Sequence, residues 1–164
     1  MEGIIITEDM LVTWHKRLLN LLIDVAVIAI IFFLLGMVSV LIAYLGYNGF
    51  YIWITEMDSL TDRIFTTLVM VLYLFVMEVT TQRSVGKFIT GTIVVAEDGS
   101  KPEPKKIMVR ALCRIIGIEA LSFLKQKPRG WHDSASDTYV VDTKKYKKAL
   151  NLKTSFEEIG TEII

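Results

Sequence analysis

The chain reads as an all-α membrane protein with two transmembrane helices, a third re-entrant or short membrane helix, and a small cytoplasmic β element. Three observations predict this. Residues 25–45 form an uncharged run of 21 residues, and a helix rising ~1.5 Å per residue crosses the bilayer core over that length. A second run, residues 64–79, holds 12 strongly apolar residues together with Thr66, Thr67, Tyr73 and Glu78. Charge is placed unevenly between and after the runs. Residues 46–62 contain no Lys or Arg but hold Glu56, Asp58 and Asp62, whereas Arg83, Lys87, Lys101, Lys105 and Lys106 follow the second run. Cytoplasmic loops are the Lys/Arg-rich ones, so the N-terminus lies inside, the loop 46–62 outside, and the chain after the second span inside.

The elements follow in order. Residues 1–13 are a short lead, and Trp14, His15, Lys16 and Arg17 mark the membrane border, Trp as an interfacial anchor and Lys-Arg as the cytoplasmic flank. The first span covers about 18–45. Its far end meets Tyr44, Tyr47, Phe50, Tyr51 and Trp53, the composition of an outer aromatic belt. The run is too long for a signal-peptide core and exits through Tyr44-Leu45-Gly46-Tyr47 without an A-x-A-like site, so it is expected to be retained. With residues 60–63 added, the second span covers about 60–79.

The third segment, about 107–124, has the length of a span but carries Arg110, Arg114 and Glu119. Basic residues flank it on both sides, eight of them from Lys125 onward, and a full crossing would export those eight. It is therefore expected to be re-entrant or interfacial, broken near Gly117, with a true third span as the alternative. Arg110 and Arg114 lie one turn apart on one helical face. Thr92-Ile93-Val94-Val95 before Asp98-Gly99 reads as a strand and tight turn. Thr138-Tyr139-Val140-Val141 repeats the pattern, so the two strands can pair. Residues 1–141 make one domain, and 142–164 a polar tail with a short fraying helix. Its Lys144, Lys145, Lys147 and Lys148 are either solvated or drawn to anionic headgroups, at roughly 1 kcal/mol each near the surface.

Several chemistries are excluded. The 18 basic and 18 acidic residues cancel, which gives no nucleic-acid signal. One cysteine, Cys113, and two distant histidines, His15 and His132, leave no metal or haem ligand set and no cofactor. Ser84-Val85-Gly86-Lys87 has the look of a phosphate loop, but Thr81 stands where its first glycine belongs and Phe88 follows the lysine. No G-x-S-x-G element accompanies either histidine, His132-Asp133 has no further histidine beside it, and Trp131 reads as an interfacial anchor. No enzyme is expected.

The charged residues near the membrane carry the functional question, because an ionisable side chain beside lipid marks a functional site unless it is paired. Arg17 and Asp24 are seven residues apart, two helical turns, and so share one stripe of the first helix. Glu78 lies at the corresponding end of the second span, with Arg83 five residues on. Arg17, Asp24, Glu78, Arg83, Arg110, Arg114 and Glu119 can therefore gather at one cytoplasmic depth. One reading is a hydrated site for a proton or Na+, in which burial raises a carboxylate's pKa and a neighbouring arginine lowers it. The other is a set of ion pairs that hold the helices in register. Outward of Asp24 the first span offers only Ser39 as a polar side chain before Tyr44, so conduction would require a homo-oligomer.

Together these residues resemble the RDD family of small bacterial membrane proteins, named for one arginine and two aspartates. The resemblance runs through Arg17 and Asp24, Ser84-Val85-Gly86-Lys87, Gly91-Thr92-Ile93-Val94-Val95, Asp98-Gly99, Arg110, Arg114, Trp131-His132-Asp133 and Thr138-Tyr139-Val140-Val141, roughly residues 14–141. Ser84 stands where the family usually has threonine. The resemblance implies a bacterial inner-membrane location, three membrane segments, and Asp133 as the second aspartate. It also implies transport, with sodium–proton exchange proposed for some members. Two functions follow as expectations. In a cation–proton exchanger Asp24 would titrate, Arg17 would tune it, and Glu78 and Asp133 would complete a cytoplasmic vestibule. In a membrane anchor or accessory subunit the same charges would dock a cytoplasmic or membrane partner.

Overall fold

The computed structural model describes residues 4–116 and 131–161, with side-chain surroundings for 4–115 and 133–155. Helix α1 spans Trp14–Tyr44, 31 residues that contain no proline. At ~1.5 Å per residue it is about 45 Å long, more than the ~30 Å hydrocarbon core. It starts four residues ahead of the expected span because Trp14 to Arg17 continue the same helix, and it stops at Leu45 before Gly46, whose φ is 95°. Residues 46–62 were expected as a loop, and they hold a short helix, α2 (Gly49–Thr55). The ring of Phe65 meets Trp53 edge-on at 5.3 Å and Phe32 at 6.0 Å, so Trp53 of the expected aromatic belt ties α2 to the second long helix, which in turn meets α1.

Helix α3 runs Ser59–Thr81 and is capped by Asp58, whose side chain accepts from the Leu60 and Thr61 amides. The Thr61 hydroxyl and amide hold the exposed Asp58 carboxyl below its ordinary range. α1 and α3 are both long and apolar enough to cross a membrane. Their mid-span side chains, among them Leu34, Leu41, Leu68 and Leu72, lie mostly outside the protein interior. That outward apolar surface is far larger than a water-soluble monomer displays, and it fits lipid.

α3 ends on Gln82, whose left-handed φ of 59° turns the chain back. Ser84 caps the six-residue α4 (Val85–Thr90), and Gly91 closes it in the left-handed region at φ 69°. Strand β1 (Thr92–Ala96) pairs antiparallel with β2 (Thr138–Asp142), Ile93 opposite Val141 and Val95 opposite Tyr139. This is the strand pair expected from the repeated Thr-x-Val-Val pattern, each strand one residue longer at its C-terminal end. The N-terminal lead joins it, with Leu11 bridged to Val141 and the Val12 amide donating to Val140 (3.2 Å). A small core of Ile93, Val95 and Val141 forms beneath Ile6, Leu11 and Tyr146.

Helix α5 (Pro104–Cys113) begins three residues before the expected third segment, with proline in its first turn where no amide bond is lost. It tightens into a 3-10 turn over Arg114–Ile116. The remainder of that segment, with the expected break at Gly117 and the site candidate Glu119, lies outside the described residues. After them come α6 (Trp131–Ala135), β2, and α7 (Thr143–Thr161). At 19 residues α7 is longer than the short tail helix expected. Its start is fastened to the sheet, the Thr143 amide donating to Gly91 (2.9 Å) and the Tyr146 hydroxyl to Gly99 (2.8 Å).

Candidate functional site: a buried charge junction

The ends of α1 and α3 meet α4, α5, α6 and β2 in a buried group of charges. Glu78, in the last turn of α3, receives Lys87 Nζ of α4 at 2.6 Å. Arg110 Nε of α5 lies 3.0 Å from its other oxygen, and Arg114 Nη2 lies 3.7 Å from the oxygen that Lys87 holds. The Arg110 Nε contact is Coulombic, since that N–H is not aligned for a hydrogen bond. Arg110 also pairs through Nη1 with Asp133 and donates from the same nitrogen to the Thr138 hydroxyl (2.9 Å). The second partner of Asp133 is Arg17 of α1. Arg110 and Asp133 are fully buried, and Glu78 and Lys87 nearly so. Burial pushes the Lys87 ammonium down to about 8, against the upward pull of Glu78.

Asp24 sits in a neighbouring compartment with different partners. Its carboxylate accepts from the Ser84 hydroxyl (2.6 Å), the Gly86 amide (2.9 Å) and the Tyr73 hydroxyl (3.1 Å). Asp24 thus anchors the first turn of α4, where backbone amides are unsatisfied and an anion is favoured. One turn earlier on α1, Asn20 fastens the other side of α4. With its amide oriented to satisfy the network, its nitrogen donates to the Gly86 (3.1 Å) and Lys16 (3.3 Å) carbonyls and its oxygen accepts from Thr92 (3.1 Å). Gly86 is required at this crossing, because a Cβ there would stand 2.4 Å from the Asn20 carbonyl oxygen.

Of the candidate charges, Arg17, Glu78, Arg110 and Arg114 form one junction together with Asp133, the aspartate that the resemblance supplied, and Asp24 lies beside it. Sharing a stripe of α1 does not pair Arg17 with Asp24: the arginine turns to Asp133 and the aspartate to α4 and Tyr73. Arg83 stands apart, its guanidinium 5.3 Å from the Phe88 ring centre. Sequence reasoning missed Lys87, Ser84, Gly86, Asn20 and Thr138. In the sequence Ser84, Gly86 and Lys87 stand out only as a failed phosphate loop and as part of the resemblance, yet a lysine nine residues after the glutamate of the second span is a usable signal. Two open hollows lie away from the junction, one lined by Glu97, Asp98, Ser100 and Lys106 and the other by Ile4, Ile5, Ile6 and Tyr139. Among the described residues, no group of three or more metal-binding side chains is placed to hold an ion.

Comparison with known proteins adds one finding. The model of the RDD family matches residues 11–137, a stretch that contains Arg17, Asp24, Asp133 and both halves of the junction. No curated protein and no solved structure matches the chain.

Proposed function

The chain belongs to the RDD family, and on that premise we propose that it is a non-catalytic membrane anchor or accessory subunit. Its buried junction fastens a cytoplasmic β element onto two spans, so that a partner can dock against a rigid platform. The single observation carrying this reading is the saturation of the carboxylates. Asp24 accepts three hydrogen bonds, Glu78 faces Lys87, Arg110 and Arg114, and Asp133 faces Arg17 and Arg110. A carrier carboxylate must exchange its partner for the transported ion, and here each would first have to abandon fixed donors inside a low-dielectric setting. The protein sits in the bacterial inner membrane, N-terminus and β element cytoplasmic and loop 46–62 outside, in contact with lipid and with a membrane partner or further copies of itself.

A second reading, cation–proton exchange by a homo-oligomer, draws on Lys87. Burial lowers its ammonium to about 8 beside Glu78, and loss of that proton would leave the carboxylate facing fewer cations and open to Na+ or H+. Sodium-driven proton flux in proteoliposomes separates the two. The anchor reading expects none from folded protein and expects Asp24→Asn to act only through stability or partner loss. Flux that vanishes in a folded Asp24→Asn variant would replace it with exchange and place Asp24, beside Glu78, on the ion path.

A further inference from the structure

Beyond its first turn, where Lys105 is exposed, helix α5 has its polarity reversed. It buries Arg110 completely, with Ile107 and Ala111, and turns Met108, Val109 (42% exposed), Leu112 (47%) and, in the following turn, Ile115 outward. A helix resting on a water-soluble domain does the opposite, since its arginine gains from solvent and its leucine from the core. Helix α4 repeats the reversal over six residues. Lys87 is 1% exposed while its neighbours Phe88 and Ile89 are 49% and 67% exposed.

The depth of both helices along the spans is fixed by contacts already described. α4 is held to α1 between Asn20 and Asp24, a stretch on which α1 exposes Leu22, with Leu19 and Val25 exposed on either side. α5 is held to the last turn of α3 through Arg110 and Glu78. The outward faces of α4 and α5 therefore continue the lipid-facing surface of the spans. Arg83 over Phe88 gives that surface a cationic edge, as expected where a basic side chain reaches the headgroups.

We infer that α4 and α5 are immersed in the same leaflet as the adjoining ends of α1 and α3, with Phe88, Ile89, Val109 and Leu112 against acyl chains. The charge junction is then enclosed within the bilayer and not beneath it, and α4 and α5 form a collar that keeps headgroups and water from Glu78, Lys87 and Asp133. This rests on the membrane reading above, but its failure can be told apart from failure of that reading.

The test is nitroxide accessibility in the full chain reconstituted in phosphatidylglycerol–phosphatidylcholine vesicles. Labels are placed singly at Ile89→Cys, Val109→Cys and Leu112→Cys in a Cys113→Ser background, with Leu34→Cys and Leu68→Cys as mid-span references and Lys147→Cys as an aqueous one. Immersion gives oxygen-over-nickel-chelate collision ratios at 89, 109 and 112 several-fold above that at 147 and close to those at 34 and 68. Ratios matching position 147 while 34 and 68 remain lipid-like overturn the collar and leave the spans intact. Exclusion of both probes at 89, 109 and 112 also overturns it, since a protein surface would then cover the face. Aqueous ratios at 34 and 68 would instead overturn the membrane reading. The labelled positions lie on two helices, so one variant that fails to fold leaves the others to decide.

Discussion

Gly86 crosses Asn20 with no room for a side chain: a Cβ would stand 2.4 Å from the Asn20 carbonyl oxygen and 3.0 Å from its Cα. Both neighbours are backbone atoms and cannot swing aside. Gly86→Ala must therefore push α4 off α1, which strains the Gly86 amide bond to Asp24 and the Asn20 contacts. Overpacking of this kind costs about 1–3 kcal/mol and sometimes more. The variant should melt well below the parent in detergent, and an unchanged midpoint would mean that α4 is not pinned there.

Arg110 joins two carboxylates from different helices, Glu78 and Asp133. Replacing it with methionine keeps much of the volume but leaves both carboxylates short of a buried cation. Removal of one partner from a buried ion pair costs about 3–5 kcal/mol. Arg114 stands 3.7 Å from Glu78 with part of its side chain exposed, so Arg114→Met should cost clearly less. Equal losses in a side-by-side denaturant titration would refute Arg110 as the keystone.

Asp24 and Ser84 share a 2.6 Å bond and a common task, the first turn of α4. Hydrogen bonds to charged groups contribute about 1.5–3 kcal/mol each. Asp24→Asn and Ser84→Ala should each destabilise, and the double variant should lose less than the two combined, because the second change removes a bond already gone. Strict additivity would indicate that the two side chains act independently.

The pH dependence of stability should carry a mark of Lys87. Its folded value of about 8 lies below the ordinary 10.5, so between these the unfolded chain binds more protons than the folded one. Stability contributed through this group therefore rises as pH increases from about 8 toward about 10, where the penalty on burying its charge is relieved. Lys87→Met should flatten that rise. A parent and variant with parallel profiles over this window would show that Lys87 does not titrate apart from the unfolded state.

Much of this architecture was legible because it depends on local chemistry. Two long apolar runs dictate two long helices, and a repeated Thr-x-Val-Val pattern marked two strands whose pairing places Ile93 opposite Val141. The candidate charges were also legible as types, since Arg17, Glu78 and Arg110 stand out in apolar surroundings. Their partners were not. Helical periodicity put Arg17 and Asp24 on one stripe, yet a stripe says only which way a residue faces.

The sequence by itself determined the family, the two spans, the strand pair and the set of ionisable residues held near the membrane, because composition and short-range periodicity are properties of neighbouring residues. It took the packed fold to pair Arg17 with Asp133, to set Asp24 against α4, and to make Lys87 a junction residue and no part of a phosphate loop. Those pairings join positions up to 116 residues apart. A buried charge takes the partner that the packed backbones bring within reach, and no local pattern encodes that distance.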